Sequence, residues 1–199
     1  MSLLDALPET SVLDLAARCQ VLDVEGTKID FGSIFAQQKT VVVFIRHFWC
    51  GAYVEDLAVV PDAALERTGT RIVIIGCGDW KPIHNYAEIT GFRGPIYADP
   101  SRKLYQTLGM NIESLALTPA DQEKPSYIKE GLMSSTWKAI KTGPLRNPSH
   151  IGKNGNISQL GGDFILGPGN DCTFAHRMQN TEDHIEVADL MKAAGVTLT

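Results

Sequence analysis

The most apolar stretch of the chain, Thr40-Val-Val-Val-Phe-Ile-Arg-His-Phe, is β-branched and uninterrupted at its start, the pattern of a strand buried on both faces of a parallel sheet. Arg71-Ile-Val-Ile-Ile-Gly-Cys repeats that pattern, and Pro95-Ile-Tyr-Ala-Asp is a third, shorter run. Between these runs the apolar period changes. Val54, Leu57, Ala58 and Leu65 share one face of a helix over Ala52 to Leu65, which Pro61 should kink or stop. The helix is expected to begin at Cys50. Pro82 to Thr90 and Ser101 to Leu108 predict two further helices. Strand-helix-strand alternation implies right-handed parallel crossovers.

The flanks alternate differently. Cys19 to Phe31 places apolar and polar residues in turn on either side of Glu25-Gly26-Thr27, which predicts a short hairpin. Gly32 to Gln38 predicts a helical turn with Ser33 as its N-cap. Gly162 to Arg177 predicts a late hairpin with Pro168-Gly169 at the centre of a type II turn. A closing helix is expected over Thr181 to Ala194, with Gly195 ending it. Asn111 to Gln159 is the least regular part and reads as an insertion holding one helix-compatible piece, Lys129 to Lys141. Together these elements predict one α/β domain over residues 1–199, with the insertion at roughly 111–160.

Composition narrows the function. A hydrophobic content of 44 % and a charged content of 21 % are ordinary for a globular chain, and a net charge of −5 offers no basic footprint for a phosphate backbone. Nucleic acid is not an expected partner. Met1 to Gln20 carries Asp5, Glu9 and Asp14, so it is not read as a signal peptide. The run Val41 to Ile45 is far short of the roughly 20 residues of a membrane span. Four cysteines, Cys19, Cys50, Cys77 and Cys172, show no Cys-x-x-Cys spacing, so neither a disulfide framework nor a zinc site is expected. No metal or other cofactor is called for, and a reducing compartment, the cytoplasm, fits best.

The order of elements, with a cysteine between a buried strand and a helix, resembles the thioredoxin-like fold: a central mixed sheet flanked by helices, here with an N-terminal hairpin and an irregular insertion. Arg46-His47-Phe48-Trp49-Cys50, Tyr53-Val54-Glu55-Asp56-Leu57, Gly167-Pro168-Gly169-Asn170 and His176-Arg177 are similar to the peroxiredoxin-like 2 family, the alkyl hydroperoxide reductase/thiol-specific-antioxidant-like proteins. The likeness runs from about Cys19 to Val196 and includes Gly143-Pro144-Leu145 of the insertion. It departs at one place. Members of this kind carry Cys-x-x-Cys and a few further residues before the tyrosine block, whereas only Gly51-Ala52 separates Cys50 from Tyr53. The fold could survive losing about three residues, which rotate a helix face by only about 60° net. The dithiol could not.

Cys50 is the candidate nucleophile, because a helix start supplies unpaired N–H groups and a positive dipole end that lower a thiol pKa. The plainer alternative is a buried, inert cysteine. Arg46 and His47 could add charge or hydrogen bonds, but strand alternation lets only one of them face the thiol. Cys77 ends the strand expected beside the Cys50 strand. It is a candidate resolving cysteine if its Cα lies within about 7 Å, or else a packed strand-end thiol. Cys19 and Cys172 read as structural. Trp49, His176, Arg177 and His184 are candidates for substrate binding, the last three shaping a pocket for an anionic ligand such as glutathione carboxylates. Equally, Asp183 could favour a helix start and Arg177 pair with a surface carboxylate. Arg146 and His150 are weaker candidates for the rim.

Typical peroxiredoxins carry Pro-x-x-x-Thr-x-x-Cys and a distant Arg that polarises the peroxide. Val43, His47 and Gly161 stand at those places here, and Gly161-Gly162 replaces a cis-proline. The resemblance therefore implies a thiol-dependent oxidoreductase or antioxidant protein with Cys50 as nucleophile and an external thiol reductant, glutathione or thioredoxin. Disulfide exchange is expected to outpace peroxide reduction unless His47 replaces the missing donor. The alternatives are a peroxidase for hydrogen or alkyl peroxides and a redox-inactive binding module, and a homodimer is left open.

Overall fold

The computed structural model describes residues 5–128 and 152–198. The helix expected over Lys129 to Lys141, Gly143-Pro144-Leu145, Arg146 and His150 lie outside them. Among the described residues seven strands form one mixed sheet: β1 (Gln20–Leu22), β2 (Lys28–Asp30), β3 (Lys39–Ile45), β4 (Thr70–Gly76), β5 (Ile96–Ala98), β6 (Gly162–Leu166) and β7 (Cys172–Arg177), in the spatial order β2-β1-β5-β4-β3-β6-β7. The three continuous apolar runs became the parallel centre, β3 beside β4 and β4 beside β5. Both hairpins pair antiparallel at the flanks. These elements are arranged as a thioredoxin-like α/β fold.

Alternation along the central strands sorts the core into two layers. Val41, Val43 and Ile45 of β3, with Ile72 and Ile74 of β4, face helices α3 (Ala52–Ala58), α4 (Asp62–Arg67), α5 (Ile83–Thr90) and α7 (Val187–Ala193). Val42, Phe44, Val73 and Ile75 point the other way, onto α1 (Thr10–Ala17), α2 (Phe31–Phe35) and α6 (Lys103–Thr107). Both faces are therefore covered, which is why β3 and β4 carry no polar alternation. The Tyr105 hydroxyl of α6 donates to the carbonyl pair of Ile45 and Ile75 (2.7 and 2.8 Å), where β3 and β4 end together. That tie holds the strand end from which the next segment departs.

Four local expectations need correction. Pro61 does break the helix, as the N-cap of α4, but the first piece starts at Ala52 with Gly51 as its N-cap, so Cys50 precedes the helix. Ser33 lies inside α2, where its hydroxyl donates to the Asp30 carbonyl (2.7 Å), and is not a cap. The late hairpin closes through Gly167 N–H to the Asp171 carbonyl (3.0 Å) across a longer loop, although Gly169 does take a positive φ of 79°. The closing helix begins at Val187, because the Ile185 N–H, which a helix from Thr181 would give to the Thr181 carbonyl, is taken by a side chain of β6. Glu182 N–H goes to Asn180 Oδ1, His184 N–H to the Tyr127 hydroxyl and Ile185 N–H to Asp163 Oδ2. Asp183 therefore favours no helix start, and Gly195, φ 76°, does terminate α7.

Candidate active site

Beyond Ile45 the chain leaves the sheet through Arg46-His47-Phe48-Trp49-Cys50-Gly51 and enters α3. Two backbone bonds shape this connection: Phe48 N–H to the Asn154 carbonyl and Cys50 N–H to the His47 carbonyl, each 3.0 Å. The Phe48 ring fills the space left by Gly76, where any Cβ would collide with it, and packs on Tyr86 at 5.3 Å between centroids. The Tyr86 hydroxyl donates to the Cys50 carbonyl (2.5 Å). Residues far apart in sequence thus hold one short turn and its sulfur.

His47 is the residue facing the thiol. Its Nδ1 accepts the Trp49 backbone N–H (3.2 Å), and its Nε2 lies 3.4 Å from Cys50 Sγ. A ring whose Nδ1 accepts carries its proton on Nε2, so an N–H is presented to the sulfur. Burial, helped by the neighbouring Arg46 charge, lowers the His47 pKa to about 3 and keeps the ring neutral. Arg46 turns away to donate to the Ile157 carbonyl (2.8 Å), yet its charge still reaches Cys50.

The expected lowering of the Cys50 thiol is reversed. Burial of the sulfur pushes its pKa up, and the Arg46 charge offsets this only in part. Cys50 gains no helix-start N–H groups because Gly51 and Ala52 intervene. Hydration of the thiolate is lost without full replacement.

Cys50 lines a cavity of about 250 Å³ with Arg46, His47, Trp49, Tyr53 and His184. Leu117, Tyr127, Ile128 and Glu182 also line it. The insertion therefore builds part of the site: Thr181 N–H to the Ala116 carbonyl (2.8 Å) and Thr118 N–H to Glu182 Oε2 (3.1 Å) hold its first strand of chain against the loop before α7. Trp49 stands edge-on to His47 at 5.9 Å. His184 stacks on Tyr53, 4.3 Å apart and 2° from parallel, while its Nδ1 donates to Asp163 Oδ1 (3.0 Å). Asp163 is fully buried in β6. Sequence reasoning passed over Asp163, Tyr53 and Tyr127; the signal for Asp163 was a lone carboxylate in the otherwise apolar strand Gly162-Asp-Phe-Ile-Leu.

Other candidates are not brought to the cavity. His176 bonds Asp5 Oδ1 (2.9 Å) and the Asp183 carbonyl (2.7 Å); burial alone would lower it, but hydrogen bonds to the Asp183 and Asp5 carboxylates prevail and raise its pKa to about 9. Arg177 donates to the carbonyls of Leu108 (2.6 Å) and Ala6 (2.9 Å) and lies over the Phe164 ring. Both residues fasten the N-terminal segment in place of shaping an anion pocket. Cys77 directs its sulfur to the Arg46 carbonyl (2.8 Å), and burial raises its pKa to about 11. It lies outside the cavity lining. All four cysteines are free; Cys19, Cys77 and Cys172 are buried and Cys50 is half-buried.

Comparison with known proteins places these features. Residues 56–180 match the AhpC/TSA antioxidant enzyme family. Peroxiredoxin-like 2C of Homo sapiens is 36 % identical over 184 residues, covering 90 % of this chain and 79 % of that protein. Prostamide/prostaglandin F synthase of Homo sapiens is 25 % identical over 179 residues, covering 87 % and 84 %. Among solved structures, peroxidoxin BcpB of Mycobacterium tuberculosis superposes with a TM-score of 0.54 at 12 % identity, covering 89 % of each chain. That likeness supports the fold, and the sequence match carries the kinship: the chain belongs to the AhpC/TSA antioxidant enzyme family, among its peroxiredoxin-like members.

Proposed function

We propose that this protein is a thiol-dependent oxidoreductase in which Cys50 is the nucleophile, an external thiol such as glutathione or thioredoxin is the reductant, and a reducing compartment, the cytoplasm, is its setting. The observation that carries the reading is the His47 Nε2–H facing Cys50 Sγ at 3.4 Å inside a concave site. A donor so placed stabilises the thiolate as it forms, and an inert packed cysteine has no need of it. Attack on a disulfide forms a Cys50 mixed disulfide and releases one thiolate, and a second thiol then restores Cys50.

A second reading, with a hydroperoxide as the oxidised substrate, is favoured by the shape and lining of the cavity. Its walls of Trp49, Tyr53, Leu117, Tyr127 and Ile128 suit a small organic molecule better than a protein disulfide. Here the sulfur attacks the peroxide oxygen, the O–O bond breaks, and a sulfenic acid and an alcohol result; two external thiols then return Cys50 with loss of water. His47, which stands at the place of the usual threonine, would serve as the donor to the peroxide, with no arginine at Gly161 to assist it.

Stopped-flow mixing of the reduced protein with hydrogen peroxide, tert-butyl hydroperoxide and glutathione disulfide tests both readings. Oxidation should map to Cys50 by peptide mass and disappear in Cys50→Ser. A peroxide rate per thiolate no greater than that of a free thiol, beside rapid disulfide exchange, would reject the second reading. Equal oxidation of Cys50→Ser would reject the first.

A further inference from the structure

Among the described residues the site brings a nucleophile and a donor together, and attack by a thiol also needs a base. Cys50 is pushed toward its thiol form by burial, so a proton must leave the sulfur when it attacks. His47 cannot receive it, because its Nδ1 is occupied by the Trp49 N–H and its Nε2 already bears a hydrogen. Arg46 is a permanent cation. The Tyr53 hydroxyl donates to the Ile185 carbonyl (2.7 Å) and the Tyr127 hydroxyl is engaged by the His184 N–H (2.9 Å). Glu182 is held on both oxygens, accepting the Thr118 N–H on Oε2 (3.1 Å) and facing the Lys124 ammonium from Oε1 (4.0 Å), an ion pair that opposes proton uptake.

His184 is arranged differently. A carboxylate only accepts, so the bond from Nδ1 to Asp163 Oδ1 fixes the proton on Nδ1 and leaves the Nε2 lone pair free. Nε2 has no partner among the described residues and is not a buried orphan. The ring belongs to the lining of the Cys50 cavity and is held flat against Tyr53. Asp163 is itself immobilised, accepting the Ile185 N–H on its other oxygen (3.0 Å). A buried carboxylate that orients an imidazole in the lining of a reactive-cysteine pocket, and leaves its second nitrogen unpartnered, is the arrangement of a general acid-base pair.

We propose that His184 accepts the Cys50 thiol proton on Nε2 and returns it to the leaving group, with Asp163 as its positioning residue. The proposal rests on the reading of Cys50 as nucleophile. With a hydroperoxide, the sulfur loses its proton to Nε2 and forms a bond to the distal oxygen as the O–O bond breaks. The alkoxide then takes the same proton from Nε2. Sulfur supplies the two electrons, the products are Cys50 sulfenic acid and an alcohol, and His184 ends as it began, with its Nδ1–H still donated to Asp163. With a disulfide, the proton passes to the departing thiolate in the same way.

Single-turnover oxidation by tert-butyl hydroperoxide, followed by intact mass, is the test. His184→Ala should slow Cys50 oxidation by about 10²-fold or more, and added imidazole should restore much of the rate in that variant while leaving the parent protein unchanged. A variant as fast as the parent, or one slowed but indifferent to imidazole, would overturn the proposal. Should His184→Ala fail to fold, His184→Phe keeps a ring against Tyr53, and the readout becomes the solvent deuterium isotope effect. Transfer through His184 requires an effect in the parent that the variant loses, and an unchanged effect overturns the proposal. Oxidation that persists in Cys50→Ser would instead refute the nucleophile itself, a separate failure.

Discussion

Four thiols share one chain, and their surroundings separate them. Cys77 and Cys172 are buried with pKa values raised by burial to about 11, and each donates to a carbonyl, of Arg46 and of Phe174. Cys19 is also buried. Cys50 alone combines partial exposure with a donor directed at its sulfur. Iodoacetamide labelling at neutral pH followed by peptide mapping should therefore modify Cys50 first; earlier labelling of Cys19 or Cys172 would refute the assignment. A hydrogen bond to a charged acceptor contributes about 1.5–3 kcal/mol. Replacing the donor, His47→Ala, should accordingly slow Cys50 alkylation roughly 10- to 100-fold at fixed pH by disfavouring the thiolate.

At the level of elements, β6 shows how sheet geometry limits chemistry. Gly161, just before this strand, lies so close to β3 that a Cβ would overlap the Phe44 carbonyl oxygen. No side chain fits there, which explains why no peroxide-polarising arginine occupies the position. Gly161→Ala should destabilise the fold by about 3 kcal/mol or more, since backbone must move to admit the methyl group. Gly69→Ala meets no neighbouring atom but keeps a φ of 58°, and should lose only about 1 kcal/mol. Denaturant unfolding of the two variants checks the order. The loop before α7 follows a related principle: a helical pattern in sequence yields where Asp163 of β6 takes the Ile185 N–H that a helix from Thr181 would use internally.

Across the whole molecule, two histidines set opposite limits to stability. His176, joined to Asp5 and Asp183, has its folded pKa raised to about 9. Its contribution is complete below an unfolded pKa of about 6.5 and is lost as pH rises through about 9. His47, lowered to about 3 mainly by burial, acts in reverse. Stability is complete above about pH 6.5 and falls toward pH 3, as the unfolded chain binds a proton that the folded site refuses. Chemical denaturation at a series of pH values should show a maximum near neutrality. His176→Gln should flatten the alkaline limb, worth on the order of 2–3 kcal/mol, and His47→Gln the acid one. An alkaline limb unchanged in His176→Gln would show that the Asp5–His176–Asp183 cluster does not fasten the N-terminal segment.

The central strands, both hairpins and most helices followed from the sequence alone, because β-branched runs, apolar periods and Gly or Pro punctuation act over a few residues. The place of Cys50 past the end of a buried strand followed by the same local logic, whereas the helix start expected at it comes two residues later. What the sequence could not determine was the state of that cysteine. Its raised pKa comes from atoms packed around the sulfur, and the tautomer of His47 from one backbone N–H two residues away. His176 and Arg177 are neighbours on β7 and by sequence suit a ligand, yet tertiary contacts commit both to the N-terminal segment. Asp163 and His184, 21 residues apart, form a pair only because β6 and the loop before α7 meet at the cavity wall. Burial and hydrogen-bond partnership belong to the folded assembly, so spacing along the chain reveals them only after the sheet has closed.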